Sequence, residues 1–440
     1  MVDHTRYRVA YWIAAFVMIA LMGGSVYGWP SLRAVLFLDA HLAEGCDEGD
    51  AVCDPQLLAF GLVYTVGSWA NQGGRLFVGI CVDRYGPRRV SAVSCLAFCA
   101  GALVFGLSTQ LRPSSTAVLS VAFGLIGIGG AGTQLSVQSV TALFPKNRSL
   151  VMATLSGAFQ LASGVYLVFE LAHGAGATLP ALMYGYSAVA LVAAGLSCFI
   201  WPSRPWGAGG GGGGGGGSGG GGKPADVPLR DRDFRGQATS PEYGLLLSYF
   251  SVNALQCQFT VMTINTQLAR MDDDGTMRQT FSTALALSFF ATPLVGHLFD
   301  RCGFPRIMAL VNSLLILTNA VLMSGVLPIQ PIACVTYAVG RVGLWASFFA
   351  FCGATFGFRN YGKLAGGGLL FASLVALLQY PLLHLSLAVG SFLPVNALFV
   401  GLAALQFVVI GFLHRRLRRR GGSGATTTTL EAPPAEPARV

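Results

Sequence analysis

Charge is what this sequence has least of. Asp, Glu, Lys and Arg make up 11% of its 440 residues, against roughly a quarter in soluble domains. Too little polar side chain is present to coat a water-soluble body, and the mean hydropathy is +0.60. The usual metal spacings are missing too: there is no Cys-x-x-Cys, and no two of the six histidines stand four apart. No nucleophile–base constellation emerges, so the expectation is a protein that is not an enzyme and holds neither metal nor cofactor. The formal charge of +9 is spread over many loops instead of one stripe, which speaks against nucleic acid as a partner.

What the chain does have is apolar runs of about 20 residues, each long enough to cross a bilayer. Long runs with short polar breaks favour helices over barrel strands. Spans are expected near 9–38, 56–79, 90–110, 116–143, 150–171 and 179–201, then 243–268, 279–299, 305–326, 331–356, 361–385 and 394–413. The expected fold class is an all-α polytopic membrane protein with 12 transmembrane helices, in two six-helix bundles. Arg6 and Arg8 before the first run resemble the start of a signal peptide, but that run extends past a signal's apolar core, so an uncleaved first helix is expected.

Orientation follows from the loops. Arg6, Arg8, Arg84, Arg88, Arg89, Lys146, Arg148, Arg301, Arg306, Arg359, Lys363 and the tail HRRLRRR all fall on one side, read as cytosolic with both termini. The opposite first loop, DAHLAEGCDEGDAVCD, has six acids and no Lys or Arg. Cys46 and Cys53 in that loop are candidates for a disulfide on an oxidising face. The sequon Asn147-Arg148-Ser149 falls on the cytosolic side, where it would stay unglycosylated. A surface membrane is the expected location.

The expected domains are a first bundle over 1–201, a glycine-rich cytosolic linker over 202–242, a second bundle over 243–413, and a basic, then disordered tail over 414–440. Treated as flexible chain, the linker spans about 35 Å root-mean-square and joins the halves without fixing them. A regulatory role for it stays open.

One motif occurs in both halves. GICVDRYGPRR (Gly79 to Arg89) and GHLFDRCGFPR (Gly296 to Arg306) share Gly, three residues, Asp-Arg, one residue, Gly and a later Arg. Gly79 and Gly296 allow helices to approach, whereas Gly86 and Gly303 suit tight turns. Asp83 and Asp300 are placed to cap a neighbouring helix or pair with arginine, among them Arg84, Arg88, Arg89, Arg301 and Arg306. Arg75, one turn before Gly79, is assigned to the same conformational latch. The plainer alternative is a basic loop that only sets topology.

These two hinges resemble the signature loop of the major facilitator superfamily, complete in the first half and reduced in the second, where Phe304-Pro305 precedes a single Arg306. Within it, YGWPSL (27–32), LFPKNRSLVMATLSGAFQLASGVYLVFE (143–170) and FRNYGKLAGGGLLFASLVALLQYPLL (358–383) resemble the sodium-independent large-neutral-amino-acid transporters of solute carrier family 43. The resemblance implies the major facilitator fold and facilitated diffusion of branched-chain and aromatic amino acids. That family also contains a purine-nucleobase carrier, and parasite relatives diverge to cationic or aromatic amino acids.

Polar groups inside spans mark a candidate pathway. Arg341, about ten residues into its span between Gly340 and Gly343, suits a carboxylate; a structural arginine bonded to carbonyls is the alternative. In GGSVYGWPS, glycines and Pro30 weaken the helix around Tyr27 and Gly28, freeing backbone groups for a solute. Gln134 and Gln138 share a helix face, and Gln160, Asn253 and Gln256 also fall near mid-depth. Phe159 is a candidate wall for an apolar side chain. For the amides and for Phe159, packing between helices is the commoner role of such residues. No Asp or Glu falls at mid-depth, which favours uniport over proton coupling. The expected function is facilitative transport of a neutral amino acid by alternating access, by a monomer whose partners are the solute and the lipid bilayer. The alternatives are a carrier of purine nucleobase or another small polar solute, and a nutrient sensor that moves nothing.

Overall fold

The computed structural model describes residues 7–43, 46, 53–110, 114–144, 148–204, 206, 228–357 and 360–421. Within them the chain is helical throughout. The first half comprises α1 (Arg8–Met18), α2 (Trp29–Leu38), α3 (Asp54–Tyr85), α4 (Pro87–Gln110), α5 (Thr116–Val137), α6 (Arg148–Leu161), α7 (Val165–Gly174) and α8 (Leu179–Ile200). A short α9 (Phe234–Ala238) precedes α10 (Pro241–Ala269), α11 (Thr276–Leu287), α12 (Ala291–Cys302), α13 (Phe304–Met323), α14 (Gln330–Phe356), α15 (Tyr361–Ala376), α16 (Gln379–Ala388) and α17 (Leu393–Gly421). The end carrying α9 is called here the connector end, and its opposite the far end.

Every expected span coincides with one of these helices or with a broken pair. Eight stretches among the described residues are long and apolar enough to cross a membrane, and α1 with α2, bent by 44°, makes a ninth. The remaining three, α3, α10 and α11–α12, are helical but more polar. The reason is where they sit. Asn71, Gln72 and Arg75 on α3, and Asn253, Gln256, Gln258 and Gln267 on α10, are all buried inside the protein instead of facing lipid. Polar side chains are tolerated at membrane depth when they find partners within the bundle. Helices α3, α4, α5 and α8 pack together as the first half, and α13, α14 and α17 as part of the second; α3 meets α15, and α2 meets α10, across the seam.

The first span is broken by its own sequence. After α1 the chain passes through a π-helical turn (Ile19–Gly23) and a 3-10 turn (Ser25–Gly28) before α2 restarts with Pro30 in its first turn. Glycine is required here by contact: a Cβ on Gly24 would lie 2.3 Å from the Phe159 carbonyl oxygen, and one on Gly28 2.2 Å from that of Ser163. The break therefore lets this segment lie directly on the backbone of 159–163.

The described residues of the 202–242 connector make specific contacts with both halves. Gln237 donates to the carbonyls of Leu229 (2.8 Å) and Phe356 (2.9 Å) and accepts from Asn360 (2.9 Å). One fully buried amide thus docks 229–238 on the end of α14. At the other end of the connector, the Arg88 side chain donates to the Trp201 carbonyl at 2.6 Å. The glycine run within 207–227 lies outside the described residues.

Candidate functional site

The seam between the halves holds two buried arginines. Arg341, from α14, is 2% exposed, and its Nη1 donates to Oε1 of Gln160 on α6 at 2.7 Å. Its guanidinium lies 4.2 Å from the centre of the Tyr27 ring. Arg75, from α3, donates through Nη2 to Oε1 of Gln134 on α5 at 2.7 Å, and stands 5.0 Å from the Phe159 ring centre. The two aromatic rings are 5.7 Å apart. Arginine, tyrosine, phenylalanine and arginine therefore form one continuous stack, with a glutamine amide holding each end. Arg341 Nη2 and Arg75 Nε are buried without a hydrogen-bond acceptor. An unmet buried donor costs about 1–3 kcal/mol.

The broken first span positions this stack. Tyr27 sits on the 3-10 turn, where its hydroxyl reaches Asn71 Oδ1 at 3.5 Å. Asn71 in turn donates to the carbonyls of Gly23 (3.1 Å) and Gly127 (2.9 Å), so part of the backbone freed by the break is used internally.

Of the sequence candidates, Tyr27, Gln134, Phe159, Gln160 and Arg341 come together, and Gly28 supports them from behind. Arg75 is placed differently from its assignment to the latch. It lies about 12 Å along α3 from Asp83 and turns inward to the centre. Gln256 is also not in the stack: it donates to Asn253 and accepts from Asn319 at 3.0 Å, joining α10 to α13. Gln138 begins the 3-10 turn that follows α5.

The hinge halves match in backbone. Gly86 (φ +81°, ψ 163°) and Gly303 (φ +76°, ψ 156°) take the same positive-φ, extended conformation, and a Cβ on Gly86 would meet the Ser203 carbonyl oxygen at 1.9 Å. Asp83, Arg84, Arg89, Arg301 and Arg306 are exposed. Asp83 forms no ion pair among the described residues. The surroundings of Gly296 and Asp300 lie outside the described residues, and Gly79 faces open space. At the far end a disulfide joins Cys46 to Cys53.

Several site residues give little sign of themselves in the sequence. Tyr64 donates to Gln258 (2.6 Å), and Gln258 donates to Gln72 (2.9 Å), a second mid-depth bridge between α3 and α10. At the far end Arg33 donates to Thr266 (2.6 Å), and Arg278 to the buried Glu170 (2.7 Å), which also accepts from Gln279. The signal that could find them is polar residues within apolar runs, Asn71-Gln72 and Arg33 above all.

Two helical halves that bring buried polar residues together along a shared seam, within a body of membrane-crossing helices, define an integral multi-pass membrane carrier for a small-molecule solute. The family model for the Major Facilitator Superfamily matches residues 54–379, and the chain belongs to that family. It is a transporter, not an enzyme. The chain is 23% identical over 476 residues to the equilibrative nucleobase transporter 1 of Bos taurus, covering 94% of this chain and 96% of the relative. It is 24% identical over 208 residues to the human large neutral amino acids transporter small subunit 3, covering 44% of this chain and 36% of that one. With amino acid transporter 6-1 of Toxoplasma gondii it shares 21% over 448 residues, 90% and 77% of the two chains. A crystal structure of a mutant of the nucleoside transporter NupG superposes with a TM-score of 0.63 at 13% identity, covering 92% of this chain and 99% of that one, and has the same fold.

Proposed function

We propose that this chain is a facilitative uniporter of neutral amino acids, monomeric, in a surface membrane with both termini cytosolic. The observation that carries the reading is Arg341: a guanidinium at the seam, braced by Gln160 and Tyr27 of the other half, with Nη2 lacking an acceptor. A planar fork of N–H groups suits a carboxylate. Tyr27 and Phe159 supply apolar surface for a side chain. A carboxylate that displaces Gln160 from Arg341 exchanges a direct bond between the halves for one through the solute. That exchange links binding to movement of the bundles, 1–201 and 243–413, about the central site. The paired hinges at Asp83 and Asp300 then close in the conformation that opens the far end. Uniport is supported by the lack of any mid-depth carboxylate among the described residues. Basic loops at the connector end and the acidic loop at the far end support the orientation.

Counterflow in proteoliposomes tests the reading: leucine and phenylalanine exchange in the wild type and at least tenfold less in Arg341→Gln. A second reading, a nucleobase carrier, is favoured by the nucleobase relative's match along nearly the whole chain. Adenine counterflow that survives Arg341→Gln would select it. Solute binding without counterflow of any solute would select a sensor.

A further inference from the structure

The centre holds two buried cations and, among the described residues, no anion. Arg75 and Arg341 each bond to a neutral glutamine oxygen and lie against an aromatic ring. The buried carboxylates among the described residues are Glu170 and Glu242. Glu170 already accepts from Arg278 and Gln279 and lies ten residues beyond Gln160, about 15 Å along the helix. Glu242 sits in the first turn of α10 at the connector end, where Arg416 is 3.9 Å away. Neither neutralises the stack. Amide oxygens and ring faces offset part of a guanidinium's desolvation, but a carboxylate offsets far more. A zwitterionic amino acid adds no net negative charge, and its ammonium enters a field of two cations. The backbone carbonyls of Gly23 and Gly127, which could receive that ammonium, already accept from Asn71.

We propose that the two arginines form one clamp whose best-matched solute is a net anion: a 2-oxo carboxylate with an apolar side chain. Its carboxylate engages Arg341. Its keto oxygen is a neutral acceptor where an amino acid carries the ammonium, so Arg75, the second cation of the stack, does not repel it. Arg75 is thus a specificity-determining residue that favours oxo acids over amino acids of the same side chain. The inference rests on the reading of Arg341 as the carboxylate anchor, and the experiment separates the two.

Proteoliposomes holding the full chain are clamped with valinomycin and potassium at 100 mV, inside positive. They are offered labelled 4-methyl-2-oxopentanoate, leucine, 3-methylbutylamine or adenine. An anion carried alone accumulates about 50-fold at that potential, whereas leucine flux is indifferent to voltage. The expected result is saturable, voltage-driven uptake of the oxo acid and none of the amine. Arg75→Gln weakens oxo-acid affinity at least tenfold and leucine affinity less, with elution profile and unfolding midpoint checked against wild type. Leucine uptake that ignores excess oxo acid, with no oxo-acid flux, overturns the clamp and leaves the amino-acid reading standing. Oxo-acid uptake without leucine uptake does the reverse. Adenine uptake alone removes both. Should nothing be moved, failure of the oxo acid to raise the unfolding midpoint of the detergent-solubilised protein also overturns the clamp.

Discussion

Arg278 donates to Glu170 at 2.7 Å, tying α11 of the second half to α7 of the first at the far end. Arg33 to Thr266 and Ser31 to Ser282 (2.9 Å) cross the same seam. These bonds must part whenever that end opens. Glu170→Gln weakens the clasp by about 1–2 kcal/mol, because Arg278 is partly exposed and water screens part of its charge. A cysteine at Ser282 should then react several-fold faster with a membrane-impermeant thiol reagent. An unchanged rate would show that the pair does not hold the far end shut.

Gln160 reports on the charge of the centre. In Gln160→Glu the new carboxylate stands where the amide oxygen now accepts from Arg341. The variant is expected to keep or raise the unfolding midpoint while uptake of carboxylate solutes falls at least tenfold. A lower midpoint would contradict an unneutralised guanidinium.

The contact of the broken first span with 159–163 tolerates no side chain. Gly24→Ala and Gly28→Ala each push a methyl group into a carbonyl and should destabilise by about 1–3 kcal/mol. Gly244→Ala and Gly401→Ala, with open space at the added carbon, serve as controls. Equal unfolding midpoints for both sets would argue against the close approach.

Asp83 separates stability from turnover. Exposed and without an ion pair among the described residues, it contributes little to this conformation, so Asp83→Asn should shift stability by no more than about 0.5 kcal/mol. If Asp83 latches the opposite conformation, counterflow slows several-fold all the same. Loss of stability without loss of rate would assign it a packing role.

Gln237 holds the end of the connector. Gln237→Ala leaves the carbonyls of Leu229 and Phe356 without that donor and should loosen 229–238. Limited proteolysis within this stretch would accelerate several-fold while transport is retained. Cleavage at the wild-type rate would mean that other contacts dock it.

Part of the candidate site is legible in the residues alone. Arg341, Gln160 and Gln134 stand out because polar groups are costly in an apolar span unless paired or used, and Tyr27 and Phe159 because each is an aromatic close to glycine, at Gly28 and Gly157. Arg75 misleads, since its spacing from Gly79 suggests the hinge and only the turn of α3 aims it inward. Gln256 misleads differently: an amide near mid-depth looks the same in sequence whether it meets solute or, as here, Asn253 and Asn319. The partners in Arg341–Gln160, Tyr64–Gln258 and Glu170–Arg278 are 181, 194 and 108 residues apart, so no local pattern joins them.

That this chain lives in a membrane as helices, and that its two halves carry the same glycine-hinged loop, follows from the order of its residues. Apolar run length and local backbone preference are properties of near neighbours along the chain. That two arginines from opposite halves share one aromatic stack, with no carboxylate beside it among the described residues, follows from packing instead. It depends on which faces of α3, α6 and α14 meet across the seam, and facing is settled by contacts at long range.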